Sequence, residues 1–193
     1  MGMDTAVSST GARARTRRAI LDAGIAVLAK NPTASLADVA AAAGVGRTTV
    51  HRYFAERSDL VAAIGADVLD KIAAATDRAR PDDGPALTAL ERVCQEYFEL
   101  GDSLAIAFDD SLAGTWNWDG WDEETEADRA LAGLVDRGRE EGTLDGRLDT
   151  DWIVQLLWSL LYVAWQRKRG GDTTHNALSL CLYTLRKSVG VPS

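Results

Sequence analysis

Ser35-Leu-Ala-Asp-Val-Ala-Ala-Ala-Ala-Gly-Val-Gly-Arg-Thr-Thr-Val-His-Arg-Tyr-Phe54 decides the fold. Ser35 followed by Asp38 is a helix start close to a capping box, with Asp in place of the longer Glu. Leu36, Val39, Ala40 and Ala43 then recur at helical spacing and give a short helix one apolar face. Gly44 suits the left-handed turn that ends such a helix. From Arg47 a second helix begins, in which Val50 and Phe54 share an inward face. Two short helices about a Gly-containing turn make a helix-turn-helix.

With Val50 and Phe54 inward, Thr48 and Arg52 point outward, Thr49 and His51 lie on the flanks, and Arg47 stands near the leading edge. No acid falls on that outward face. An ordinary solvated helix mixes in Glu and Asp, whereas Arg, Thr and His are the types that meet base edges and phosphates. Upstream, Arg13, Arg15, Arg17 and Arg18 cluster at the start of a helix expected over Arg13–Lys30, its stripe made by Ile20, Gly24, Val27 and Leu28. Cations at that end oppose the helix dipole, and an external phosphate explains them better than self-stabilisation.

The pattern from Ser35 to Leu60, behind an Arg-rich amphipathic helix, resembles the DNA-binding domain of the tetracycline-repressor (TetR) family. The motif spans about a quarter of the chain. The resemblance implies a dimeric transcriptional regulator, usually a repressor, released from its operator by a small molecule. Carried over position by position, it assigns Arg47, Thr48 and Arg52 to base edges, and Ser35, Thr49, His51, Tyr53 and Arg57 to phosphates. Arg13 and Arg17 of the upstream cluster join this DNA-binding set. Two positions depart from the family pattern. Gly46 stands where Ser or Asn often caps the recognition helix, at a cost of a few tenths of a kcal/mol. His51 stands where Tyr is common, which would make a phosphate contact pH-sensitive.

Charge supports this reading once it is split. The 193-residue chain has a net charge of −8, yet residues 1–57 carry eight basic and four acidic side chains, a net of +4. The remainder carries 13 basic and 25 acidic residues, a net of −12. A basic head is drawn to phosphate and an acidic body is repelled from it.

The rest of the chain reads as helix after helix. Residues 1–11 are expected as a disordered tail, 12–57 as the DNA-binding domain, 58–80 as a connecting helix and 81–193 as an effector-binding and dimerisation domain, with the break at Pro81-Asp-Asp-Gly-Pro85. Helices are expected from Pro85, over Asp102–Leu112, Asp122–Gly142, Asp149–Arg169 and Thr173–Val189. No strand-like alternation or repeat occurs, so the fold expected is all-α with about nine helices. The Asp149–Arg169 helix is apolar nearly all round and must be buried on more than one side. In a chain this short that asks for a second copy, the last two long helices pairing with the same two of a partner in a four-helix contact. Such a dimer would read a roughly palindromic operator in double-stranded DNA.

Trp116, Trp118 and Trp121 fall inside six residues, within a segment (Asp102–Asp128) of nine acids and no Lys or Arg. Three indoles can simply pin a loop to the core. They can also cover a pocket, and aromatic faces near carboxylates suit a flat aromatic or cationic effector. The pocket walls expected are Phe98, Phe108, Trp116, Trp121, Trp158 and Tyr162.

No nucleophile elbow, P-loop, HExxH or Cys/His metal spacing occurs, so no catalytic residue, cofactor or metal is expected. Cys94 and Cys181 read as small core hydrophobes in a reducing compartment. No signal peptide or membrane span is legible, and the expected location is the cytoplasm. Two readings compete with an effector-responsive repressor: an architectural DNA-binding protein of the same fold, and a helical protein–protein adaptor.

Overall fold

The computed structural model describes residues 4–107 and 124–191. Among them nine helices follow one another: α1 (Asp4–Leu28), α2 (Leu36–Ala42), α3 (Arg47–Tyr53), α4 (Arg57–Ala79), α5 (Ala86–Glu99), α6 (Asp102–Ala107), α7 (Glu126–Glu140), α8 (Thr150–Arg169) and α9 (Thr174–Val189). The described residues contain no strand, only an isolated antiparallel bridge between Leu144 and Gly190. None of these helices is long and apolar enough to cross a membrane.

Two boundaries differ from the sequence expectation. Helix α1 reaches back to Asp4, so most of the stretch expected as a disordered tail is helical. Extending a formed helix adds one hydrogen bond per residue fixed, and nothing from Asp4 to Ala12 is a proline. Helix α7 starts at Glu126 rather than Asp122, because Thr125 and Asp128 form a reciprocal capping box that fixes the first turn there. Helix α6 is described over Asp102–Ala107, and the remainder of the helix expected to Leu112 lies outside the described residues.

The described residues pack as two compact units. The first unit runs through Val68 and takes in Ile106 and Ala107; the second takes Leu69–Ala105 and the described residues from Glu124 on. The first half of α4 belongs with the helix-turn-helix because its apolar residues are core there: Leu60, Val61, Ile64 and Val68 are all at most 1 % exposed. The expected connecting helix thus contributes residues to both units.

In the second unit α5 supplies Leu90, Val93, Cys94, Tyr97 and Phe98 to the core, α7 supplies Leu131, Leu134 and Val135, and α8 supplies Ile153, Leu157, Leu161, Ala164 and Trp165. Cys94 and Cys181 are buried free thiols with their sulfurs 3.6 Å apart. Their mutual hydrogen bond, then burial, holds the Cys94 thiol far above its usual range, which keeps it protonated and inert. One stripe of the last two long helices is left uncovered. Trp152, Tyr162 and Val163 on α8 and Leu180 and Tyr183 on α9 are 40–64 % exposed.

Candidate functional site

The helix-turn-helix is built by local chemistry at each junction. Asp38 N–H donates to Ser35 Oγ (3.3 Å) and Ser35 N–H donates to Asp38 Oδ2 (2.8 Å), a complete capping box despite the short acid. Those hydrogen bonds hold the Asp38 carboxyl below its usual range. At the far end Val45 N–H bonds the Ala40 carbonyl (3.0 Å) and Gly44 N–H the Ala41 carbonyl (3.2 Å). This is a Schellman turn, and it requires the positive φ of +66° that Gly44 adopts. Gly46 then caps α3 through extended backbone with no side-chain hydrogen bond.

The face of α3 falls as the helical wheel requires. Val50 is fully buried and Phe54 is 3 % exposed, whereas Arg47, Thr48, His51 and Arg52 are exposed and Thr49 and Tyr53 half-buried. The Arg52 guanidinium lies 5.4 Å from the Tyr53 ring centroid, a stacking contact that holds a long cation on the outer surface. His51 Nδ1 is 3.1 Å from the Ala55 carbonyl. A carbonyl only accepts, so Nδ1 carries the proton and Nε2 is the nitrogen left for another partner.

The four arginines of α1 divide by partner. Arg13 is exposed, as is Arg15, and neither has a partner among the described residues. Arg17 lies over the Phe54 ring at 5.4 Å, joining α1 to the end of α3. Arg18 is held by Asp22 on its own helix and by Asp67 on α4. Arg18 is thus a strut of the unit.

Arg57, the first residue of α4, is also occupied. Its Nε donates to the Ala34 carbonyl at 3.1 Å and its Nη2 donates to the Pro32 carbonyl. Ser35, assigned to a phosphate, is exposed, with its hydroxyl engaged by Asp38 at 2.7 Å.

In the second unit the residues expected as pocket walls are only partly brought together. Trp158 is half-buried and stacks on Tyr97, with ring centroids 5.0 Å apart and planes inclined by 16°. The Tyr97 hydroxyl pairs with Thr76 Oγ1 at 2.7 Å. Burial pushes the Tyr97 phenol up to about 12, against the opposing pull of that hydrogen bond. Phe98 is buried, with the Lys168 ammonium 5.8 Å from its ring centroid. Tyr162 is 40 % exposed, its hydroxyl accepting from Gln166 Nε2 at 2.8 Å. Phe108, Trp116 and Trp121 lie outside the described residues. Sequence reading missed the Thr76–Tyr97 pair: Tyr97 sits in the apolar stripe of α5, and only its hydroxyl hinted that a polar partner was needed. No group of three potential metal ligands occurs among the described residues.

Comparison with known proteins agrees with this geometry. The family model for bacterial regulatory proteins of the tetR family matches residues 20–64, from the core of α1 into α4. The HTH-type transcriptional repressor LfrR of Mycolicibacterium smegmatis is 36 % identical over 189 residues, 93 % of each chain. The crystal structure of LfrR from Mycobacterium smegmatis in complex with proflavine superposes with a TM-score of 0.70 at 36 % identity, over 94 % of this chain and 99 % of that one. A second crystal structure of LfrR from Mycobacterium smegmatis gives 0.66 at 32 % identity, over 91 % of this chain and 99 % of that one. With a relative this similar along nearly its whole length, and the domain match lying on the helix-turn-helix, this chain belongs to the tetR family of bacterial regulatory proteins.

Proposed function

We propose that the protein represses transcription as a homodimer on a palindromic operator and is released by a planar aromatic cation. The observation that carries the DNA half is the outer face of α3. Arg47, Thr48, His51 and Arg52 stand exposed on a helix whose inner face is sealed by Val50, and no acid interrupts them. Arg47, Thr48 and Arg52 read base edges. Thr49, His51 and Tyr53, with Arg13 and Arg17 of α1, hold phosphates. The phosphate contacts position the protein and the base contacts specify the site.

Dimerisation is supported by the uncovered stripe on α8 and α9. Trp152, Val163, Leu180 and Tyr183 are large side chains that a lone chain would leave in water. A twofold contact places the same patch against itself and spaces two α3 helices for successive turns of the major groove.

The effector half rests on the second unit and on the relative. LfrR has been crystallised with proflavine, a flat tricyclic cation. In this chain Trp158 is half-buried and stacks on the buried Tyr97 ring, and the Phe98 ring accepts a cation, from Lys168, so the unit already brings aromatic rings and a cation–π contact together. Aromatic faces favour such ligands through dispersion and the ring quadrupole. Repression requires access to the chromosome, which puts the protein in the cytoplasm.

Titration of intrinsic Trp fluorescence with proflavine tests the effector reading. Quenching should saturate in the wild type and weaken about tenfold or more in Trp158→Ala, as loss of a stacking face demands. Unchanged quenching in Trp158→Ala would remove that residue from the site, and no saturable quenching in the wild type would reject the ligand class.

A further inference from the structure

We propose that Arg57 is a positioning residue rather than a phosphate contact: from the first turn of α4 it clamps the carbonyls of Pro32 and Ala34, and thereby fixes the start of α2. The inference rests on the DNA-binding reading and reassigns one residue within it.

A guanidinium grips a phosphate best through a pair of parallel N–H groups on one edge. In Arg57 the edge formed by Nε and Nη2 is already filled, by Ala34 O at 3.1 Å and by Pro32 O. Both carbonyls belong to the short connection between α1 and α2, 25 and 23 residues back in the chain, and the Arg57 side chain is part-buried against them. Neither carbonyl accepts a backbone hydrogen bond among the described residues. Ala34 is itself only 4 % exposed, so its carbonyl has little access to water in compensation.

The position of those carbonyls gives the clamp its consequence. Ala34 O immediately precedes Ser35, the residue that caps α2 and carries the box with Asp38. Helix α2 has only seven residues, too few to be stable in isolation, so it depends on what its ends are tied to. Its other end passes through the Gly44 turn into α3, so an error at Ser35 is carried to the exposed face of α3. Arg57 thus acts on DNA through the placement of α2 and α3. A lysine at this position keeps the charge but has no planar fork with which to hold two carbonyls at once.

The test uses the full-length protein as wild type, Arg57→Lys and Arg57→Ala. Amide hydrogen exchange without DNA is measured across the α1–α2 connection and α2. Affinity for a random-sequence duplex is then measured as a function of salt, together with the preference for a duplex selected from a random pool. The clamp predicts that both substitutions speed exchange there by about tenfold or more, that both lower the preference for the selected duplex, and that the salt slope stays at the wild-type value. Two results would each overturn it. One is unchanged exchange in Arg57→Lys. The other is a slope shallower by about 0.9 per protomer in Arg57→Ala and restored in Arg57→Lys, the signature of a lost phosphate contact. Should the wild type bind no duplex, the DNA reading falls, while the exchange measurement still decides whether the clamp exists.

Discussion

Tyr183→Asp should split the proposed homodimer. Tyr183 lies on α9 and is 64 % exposed, more than any other large apolar side chain of the described residues. An aromatic residue can bury about 150–250 Å², so roughly 100–160 Å² of this one awaits a partner. At about 25 cal/mol per Å² that surface is worth about 2.5–4 kcal/mol on each protomer if fully covered. A twofold contact counts it twice. Coverage of only half of each ring therefore leaves a loss of about 2.5–4 kcal/mol per dimer, before the cost of burying an aspartate is added. The dissociation constant should rise by about 100- to 1,000-fold. Sedimentation velocity over a concentration series reads this directly, with circular dichroism showing that the helices persist. A variant that dissociates within about threefold of wild type would refute the assignment of this stripe, as would a wild type that is monomeric throughout.

Three further outcomes follow from named contacts. Arg47→Ala should cost about 1–3 kcal/mol on a selected duplex and relax base preference, measured by fluorescence anisotropy; equal weakening on random duplex would contradict its base-reading role. Gly44→Val should lower the unfolding free energy by about 1–2 kcal/mol in urea titration, because a β-branched residue would have to hold the +66° φ of the Schellman turn; no loss would mean that the turn can be rebuilt without it. Gly138→Ala should cost about 1–3 kcal/mol, since a Cβ there would meet Leu144 carbons at 2.6–2.7 Å and the Ala86 Cβ at 2.9 Å; an unchanged urea midpoint would show that the α7–α8 connection yields freely.

What the sequence made legible was whatever is decided within a few residues. The capping residue of α2, the Gly44 turn and the burial of Val50 and Phe54 are set by neighbours three or four positions apart, and the structure has each of them. The starts expected for the last two helices, Asp149 and Thr173, were legible too, and the structure shows their side chains capping α8 and α9 there. Partners chosen by tertiary contact were not legible. A motif places an arginine at position 57, but only the fold brings Pro32 and Ala34 to its guanidinium. Likewise Arg17 and Arg18 look alike in the sequence, yet one lies over Phe54 and the other bridges Asp22 and Asp67. Proline and glycine mark where the chain turns, whereas the unit boundary follows the burial of Leu60, Ile64 and Val68, which lie in mid-helix. Tyr97 shows the converse limit: periodicity found its buried ring but could not find Thr76, 21 residues earlier, as the partner of its hydroxyl.

Selection of bound DNA from a random duplex pool at moderate salt tests the central claim most directly. A twofold-related pair of α3 helices, each presenting Arg47, Thr48 and Arg52, predicts enrichment of a palindrome with half-sites about one helical turn apart. A pool that stays flat, with binding lost on a modest rise in salt, would contradict sequence-specific regulation and leave only attraction to phosphate.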